Sequence, residues 1–169
     1  MNYKKVIIIG DQGRGKTTLA KKLSEILHTE SHSTDDYYEV KFTKIRDREE
    51  SIESISKNYD KDEWIVEGSS PHLLKPGFQK ADVIIYLKHN NIIYQWWVLI
   101  KRGFFAKNET WKGIYRLLKH VYYKKRGLYK GKLSYEEIIA PYRSKVVELS
   151  SFKQIQNFIA SLEIEKRVR

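Results

Sequence analysis

The chain has 169 residues, 41% of them hydrophobic and 31% charged. That is enough for one substantial core and too mixed for a disordered or bulk membrane protein. There is no cysteine, which excludes disulfide frameworks, cysteine zinc sites and thiol nucleophiles. The 32 basic side chains outnumber the 21 acidic ones, for a net charge of +11, so an acidic partner has to be placed somewhere.

In chain order, residues 6–9 are a continuous β-branched run, Val6-Ile7-Ile8-Ile9, ending at Gly10. Such a run predicts a strand buried on both faces, as in a parallel sheet. Residues 16–27 carry Leu19, Ala20, Leu23, Ile26 and Leu27 at helical spacing. Residues 29–34 are a polar stretch read as a weak second strand leading into Asp35 and Asp36. Residues 45–59, with Ile52 and Ile55 among many charges, predict an exposed helix. Strands are expected at 64–66, ending at Glu67 and Gly68, at 83–87 and at 145–149. Helices are expected at 91–102 and 111–126. A last amphipathic helix over 151–162 places Phe152, Ile155, Phe158, Ile159 and Leu162 on one stripe. Strands alternating with helices indicate a parallel α/β sheet.

The first apolar run has only four residues, and the run over 92–100 is interrupted by Tyr94 and Gln95. Neither suits a secretory signal or the ~20 residues of a membrane helix. The expectation is a cytoplasmic protein with no membrane partner, folded as a single domain over 1–169. No internal repeat is visible, which argues against a solenoid.

Gly10, Asp11, Gln12, Gly13, Arg14, Gly15, Lys16 and Thr17 satisfy the spacing G-x-x-x-x-G-K-[ST] in full, between a buried strand and a helix. Glycines let such a loop curl so that successive backbone N–H groups face phosphate oxygens, and the helix N-terminus adds partial positive charge. Lys16 is placed to bridge β- and γ-phosphates, and Thr17 to ligate Mg²⁺ through its hydroxyl. Thr18 extends the same binding stretch. The context favours this reading over a plain glycine-rich turn. Arg14 occupies a variable position, where it either lies near phosphate or faces solvent.

Glu67, at a strand end, is the candidate second metal carboxylate, holding the Mg²⁺ water shell; the alternative is a solvated strand-end glutamate. Asp35 and Asp36 follow the second strand. One of them either engages an acceptor hydroxyl, as orienting group or general base, or helps with the metal; or the pair caps a turn or helix. Tyr37 and Tyr38 either pack over a substrate ring or are loop aromatics. None of His28, His32, His72, His89 and His120 shows the i, i+4 pairing of a helical zinc site. A surface or capping role is the favoured reading for each; His72, which follows Glu67-Gly68-Ser69-Ser70-Pro71, is the leading candidate among them to line the site.

The charge is local. Residues 1–87 hold 14 basic and 15 acidic side chains, whereas 88–169 hold 18 and 6. Within 101–132 there are 11 basic residues and one acid, Glu109, interleaved with Phe104, Phe105, Trp111, Tyr115, Tyr122, Tyr123 and Tyr129. Three readings stand for this segment. It is a closing lid whose cations clamp phosphates, with Arg102 and Arg116 as catalytic candidates alongside Lys101, and Lys124, Lys125 and Arg126 behind them. It is a nucleic-acid surface. Or it is a core-backed, solvated face.

On these residues the chain resembles the small P-loop kinases related to adenylate and shikimate kinases, and more narrowly the adenylate-kinase-related DNA topology modulation proteins. The likeness runs through Gly10 to Thr17, Thr34-Asp35-Asp36-Tyr37-Tyr38, Trp64-Ile65-Val66-Glu67-Gly68-Ser69-Ser70, Ala81 to Leu87 and the closing strand and helix. It implies a three-layer α/β/α fold with a five-stranded parallel sheet in the order 2-3-1-4-5 and a helical basic lid over 101–132. It also implies ATP and Mg²⁺ at residues 10–17, with the acceptor between Asp35, the Glu67 region and the lid. Glu67 stands where that family usually carries Asp, and the helix from Asn91 lacks an arginine common there.

The expected function is ATP-dependent phosphotransfer to a small acceptor, of the nucleotide- or nucleoside-kinase type. Lys16, Asp35, Arg102 and Arg116 are the catalytic set, and Thr17 and Glu67 the metal set. The alternative is a nucleic-acid-binding P-loop NTPase or regulator using the basic segment.

Overall fold

A computed structural model describes residues 3–11, 13–40, 44–45, 47–88 and 134–168. Strand β1 (Lys5–Gly10) leads to helix α1 (Lys16–Leu27), strand β2 (Ser31–Ser33) and the short helix α2 (Thr34–Tyr38). Two-residue strands β3 (Glu39–Val40) and β4 (Lys44–Ile45) precede α3 (Arg48–Tyr59), β5 (Trp64–Gly68), α4 (Pro71–Phe78) and β6 (Val83–Leu87). After residue 133 come α5 (Tyr135–Ile139), a 3₁₀ turn (Ala140–Lys145), β7 (Val146–Leu149) and α6 (Phe152–Val168). The expected helices at 91–102 and 111–126 lie outside the described residues.

Five strands form one parallel sheet in the order β2-β5-β1-β6-β7. Counted among themselves, these are 2-3-1-4-5, the order that the resemblance implies. The period-2 alternation of strand side chains builds the two outer layers. Ile7, Ile9, Val66, Ile84 and Tyr86 face Ile55 and Tyr59 of α3, Leu73, Leu74 and Phe78 of α4, and Tyr135 and Ile139 of α5. Val6, Ile8, Ile65, Val83, Ile85 and Leu87 face Leu19, Ala20 and Leu23 of α1 and Leu162 of α6. All of these side chains are buried, and burying one aliphatic side chain of this size contributes roughly 1.5–3 kcal/mol.

Several elements differ from the sequence expectation. Helix α3 begins at Arg48 rather than residue 45, because Lys44 and Ile45 pair antiparallel with Glu39 and Val40 and Asp47 caps the helix by accepting from the Glu49 N–H at 3.2 Å. Nor is α3 an exposed helix. Ser51, Ile55, Asn58 and Tyr59 are buried on one stripe, and the Tyr59 hydroxyl donates to the Leu73 carbonyl at 2.9 Å. Helix α4 was not expected, since Pro76 sits inside it; Pro71 in its first turn suits helix entry, and the apolar Leu73, Leu74 and Phe78 hold it on the sheet. Lys145 belongs to the turn before β7, where its ammonium donates to the carbonyls of Gln79 (3.0 Å) and Ala81 (2.8 Å). Helix α6 runs to Val168, and Phe152, 64% exposed, lies off the packed stripe of Ile155, Phe158, Ile159 and Leu162. Among the described residues no helix is long and apolar enough to cross a membrane.

Strand register decides what shares the carboxyl edge of the sheet. Gly10 pairs with Leu87, Ile9 with Gly68, and Ser33 with Glu67. The loop after β1, the acid in β5 and the start of α2 are thereby delivered to one edge from three separated stretches of sequence.

A candidate phosphate-binding site

The loop after β1 curls as its glycines allow. Gly13 (φ 73°) and Gly15 (φ 79°) occupy the left-handed region, which disfavours side chains bearing Cβ. Gly10 must also lack one, since a Cβ there would approach the Leu87 carbonyl oxygen at 2.8 Å. Gly15 is the N-cap of α1 and supplies no side-chain cap, and the first turn of α1 carries no acid. The first-turn N–H groups thus lack the usual side-chain oxygen, an arrangement suited to an external anion.

Lys16 is largely buried (8% exposed). Its ammonium donates to the Asp11 carbonyl at 3.0 Å, so it lies across the loop rather than in bulk water. The Thr17 hydroxyl donates to Glu67 Oε1 at 2.8 Å. Glu67 is only 4% exposed, which removes the alternative of a solvated strand-end carboxylate. A hydroxyl and a carboxylate meeting beside the loop are hard oxygen donors, which fits Mg²⁺. Among the described residues no group of three or more His, Asp or Glu side chains could hold a metal. The donor set therefore suits an ion that takes its remaining ligands from phosphate and water. Thr18 is exposed on the first turn of α1, and Gln12 lies outside the described residues.

Arg14 does not face solvent. Its side chain is 11% exposed, and its Nη2 donates to Asp11 Oδ2 at 3.3 Å. Burial lowers its pKa, and the neighbouring Asp11 carboxylate opposes that shift.

Beside the loop, Gly68 packs directly against the fully buried Thr34 at the start of α2, and any Cβ on that glycine would collide with the threonine side chain. That contact seats the start of α2 against β5. Asp35 and Asp36 are both exposed in the first turn of α2. Asp36 Oδ2 accepts from the Ser33 N–H at 3.4 Å, a weak local turn contact. The Asp35 N–H donates to Ser33 Oγ at 3.3 Å. Tyr37 is half-buried, accepts from the Asn58 amide, packs against the core and meets His32 edge-on. Its ring is thus part of the packing.

His72 lies in the first turn of α4, a helix that the sequence reading did not expect, with its pKa lowered by burial and then by Arg48. His32 pairs with Glu30 at 3.3 Å, and His28 caps α1 in the left-handed conformation. Arg102, Arg116, Lys101, His89, His120 and the whole 101–132 segment lie outside the described residues.

No local sequence pattern signals the support around the loop. Ser69 Oγ donates to the Gly10 carbonyl at 3.0 Å, and the Tyr135 hydroxyl donates to the Ser69 carbonyl at 3.0 Å. Tyr86 donates to Glu136 Oε1 at 2.9 Å, and Lys88 bridges Glu136 (3.5 Å) and Glu148 (3.4 Å). Helix α5, capped by the reciprocal Ser134–Glu137 box, is thereby tied to β1, β5 and β6. Separations such as Tyr135 to Ser69 leave no local pattern to read. Only the Asp11–Arg14 spacing of three could have hinted at a pair.

No protein-family model matches the chain, and no curated protein is similar enough in sequence to count as a relative. Solved structures do resemble it. Shikimate kinase from Bacteroides thetaiotaomicron matches with a TM-score of 0.57 at 14% identity, covering 96% of this chain and 97% of that one. A gluconokinase from Sinorhizobium meliloti 1021 matches with a TM-score of 0.57 at 9% identity, covering 99% and 94%. Shikimate kinase from Acinetobacter baumannii, in complex with shikimate, matches with a TM-score of 0.51 at 14% identity, covering 97% and 94%. At these identities the likeness establishes the fold: a parallel α/β sheet of the P-loop kinase type.

Proposed function

We propose that the protein transfers the γ-phosphate of ATP to a small acceptor, as a phosphotransferase of the nucleotide- or nucleoside-kinase type. The observation that carries this reading is the contact of Thr17 with the buried Glu67 at the mouth of a glycine loop containing Lys16. A loop that only joined strand to helix would have no need of a buried carboxylate there. The fold likeness to shikimate kinases and a gluconokinase supports the same reaction class.

In this reading the loop amides and Lys16 hold the β- and γ-phosphates, and Thr17 and Glu67 hold Mg²⁺, Glu67 through water. The ion, when bound, neutralises charge on the phosphate oxygens. Asp35 takes the proton of the acceptor hydroxyl as its oxygen bonds to the γ-phosphorus. The bond from that phosphorus to the β–γ bridging oxygen breaks, and ADP leaves. Asp35 is favoured over Asp36 because Asp36 already serves the local turn. Arg102 and Arg116 are proposed to offset transition-state charge from a lid over 101–132, within a single domain.

The alternative, a nucleic-acid-binding NTPase or regulator akin to the DNA topology modulation proteins, rests on the charge of 101–132 alone. The likenesses to solved kinases lend it no support. The test is a γ-phosphate transfer screen across nucleosides, nucleoside monophosphates, hydroxy acids and sugar acids, with DNA and RNA ends included. A labelled small product supports the proposal. Label found only on nucleic-acid ends, or ATP hydrolysis stimulated only by nucleic acid, refutes it.

A further inference from the structure

Asp11 places a carboxylate one residue into a loop shaped to hold anions. A fixed negative charge there opposes phosphate binding. Arg14, three residues on, meets that carboxylate at 3.3 Å, and both side chains are largely withdrawn from water, at 11% and 27% exposure. The Asp11 carbonyl is at the same time the acceptor for the Lys16 ammonium, so the residue bearing the opposing charge also positions the lysine.

Among the described residues, two phenols also face this pair. Tyr86 and Tyr135 lie within electrostatic reach of both Asp11 and Arg14, with their rings 6.1 Å apart. Burial, first among the causes, keeps both phenols protonated. Glu136 is engaged by Tyr86 and Lys88. Arg14 is a cation set directly against the Asp11 carboxylate.

We propose that the half-buried Asp11–Arg14 pair sets the affinity of the loop for polyphosphate, Asp11 weakening it and Arg14 cancelling that effect through charge. Arg14 is thus an affinity-setting residue within the loop, and the inference rests on the phosphate-site reading above. The pair makes phosphate affinity adjustable without altering the loop glycines or Lys16.

The sign of the effect separates charge balance from mere bracing. Dissociation constants for MgATP and MgADP are measured for the wild type, Arg14→Met, Asp11→Asn and the double variant, at low and high salt. Arg14→Met is expected to weaken ATP binding about tenfold, the scale of one unit charge in a partly buried site. Asp11→Asn is expected to tighten it about threefold, and the double variant to return to within about twofold of wild type. The shifts should be larger for ATP than for ADP and should shrink with salt. If both single variants weaken binding alike, the pair is only a brace and the inference is overturned. Arg14→Lys covers the case in which the methionine variant does not fold: near-wild-type affinity supports the inference, and a tenfold loss overturns it. Wild-type protein that binds neither nucleotide overturns the phosphate-site reading and this inference with it. Wild-type binding with same-sign shifts overturns the inference alone.

Discussion

The two sides of the sheet's carboxyl edge hold their polar groups in opposite ways. At the phosphate side, Lys16 and Glu67 are buried, and each is fixed by a contact of 3.0 Å or less. At the side proposed for the acceptor, Asp35 and Asp36 are exposed on a five-residue helix, seated through Thr34 packed on Gly68. Burying a charged group costs free energy that its partners must offset, so the first set is held in place by specific contacts. The second set is free of that constraint. In the proposed function, the first side is pre-organised for phosphate and the second is completed by the acceptor.

That contrast is sharpest at Lys16. Lys16→Ala should reduce phosphotransfer by several orders of magnitude while far-UV circular dichroism and thermal unfolding stay near wild type. A variant that keeps full turnover would remove the phosphate side from the chemistry. Glu67→Gln comes next, with turnover lowered about 10²-fold, in the range seen for loss of one electrostatic stabiliser. Partial recovery at raised Mg²⁺ is expected in a titration, and insensitivity to the metal would break the proposed metal role.

On the acceptor side the two aspartates should part company. Asp35→Asn is expected to lower kcat about tenfold to a hundredfold with the KM for ATP little changed. Asp36→Asn should change unfolding free energy by less than about 1 kcal/mol and leave kcat nearly intact. Equal kinetic effects from both would dissolve the distinction.

How much of this was legible in the sequence follows the same division. The loop from Gly10 to Thr17 is contiguous, so its geometry is written in local spacing. The strand runs of 6–9 and 83–87 are apolar throughout because both faces of the sheet are covered. The polarity of residues 29–34 also fits a strand of only three residues with intermediate burial on each side chain. By contrast, α4 was masked by Pro76, and the buried stripe of α3 was hidden because half of it is polar, Ser51 and Asn58. The support that Tyr135, Ser69 and Tyr86 give the loop joins residues up to 66 apart in sequence, and no periodicity encodes it. Arg14 presented two readings because a charged side chain in a loop gives no sign of its own burial.

Smaller effects probe that unwritten support. Tyr135→Phe removes the hydroxyl that donates to the Ser69 carbonyl and keeps the ring. It should cost about 1 kcal/mol of stability, the net worth of one such bond, and raise the KM for ATP a few-fold by loosening Ser69 from Gly10. Unchanged kinetics in a destabilised protein would confine α5 to packing. Smallest is His72, whose folded-state pKa is lowered. Its unfolded form takes up a proton first as pH falls below about 6.5, so stability is lost through that window and fully present above it. His72→Gln should flatten part of that loss in denaturant titrations between pH 7 and pH 5. An unaltered slope would show that burial of His72 does not feed into stability.

The most direct measurement of the central claim follows label from γ-³²P-ATP into a panel of small acceptors, with wild type and Lys16→Ala side by side in the presence of Mg²⁺. Wild type should place label on one chemical class of small acceptor, and the alanine variant should place none. No labelled small product from wild type, or equal labelling by both proteins, would contradict it.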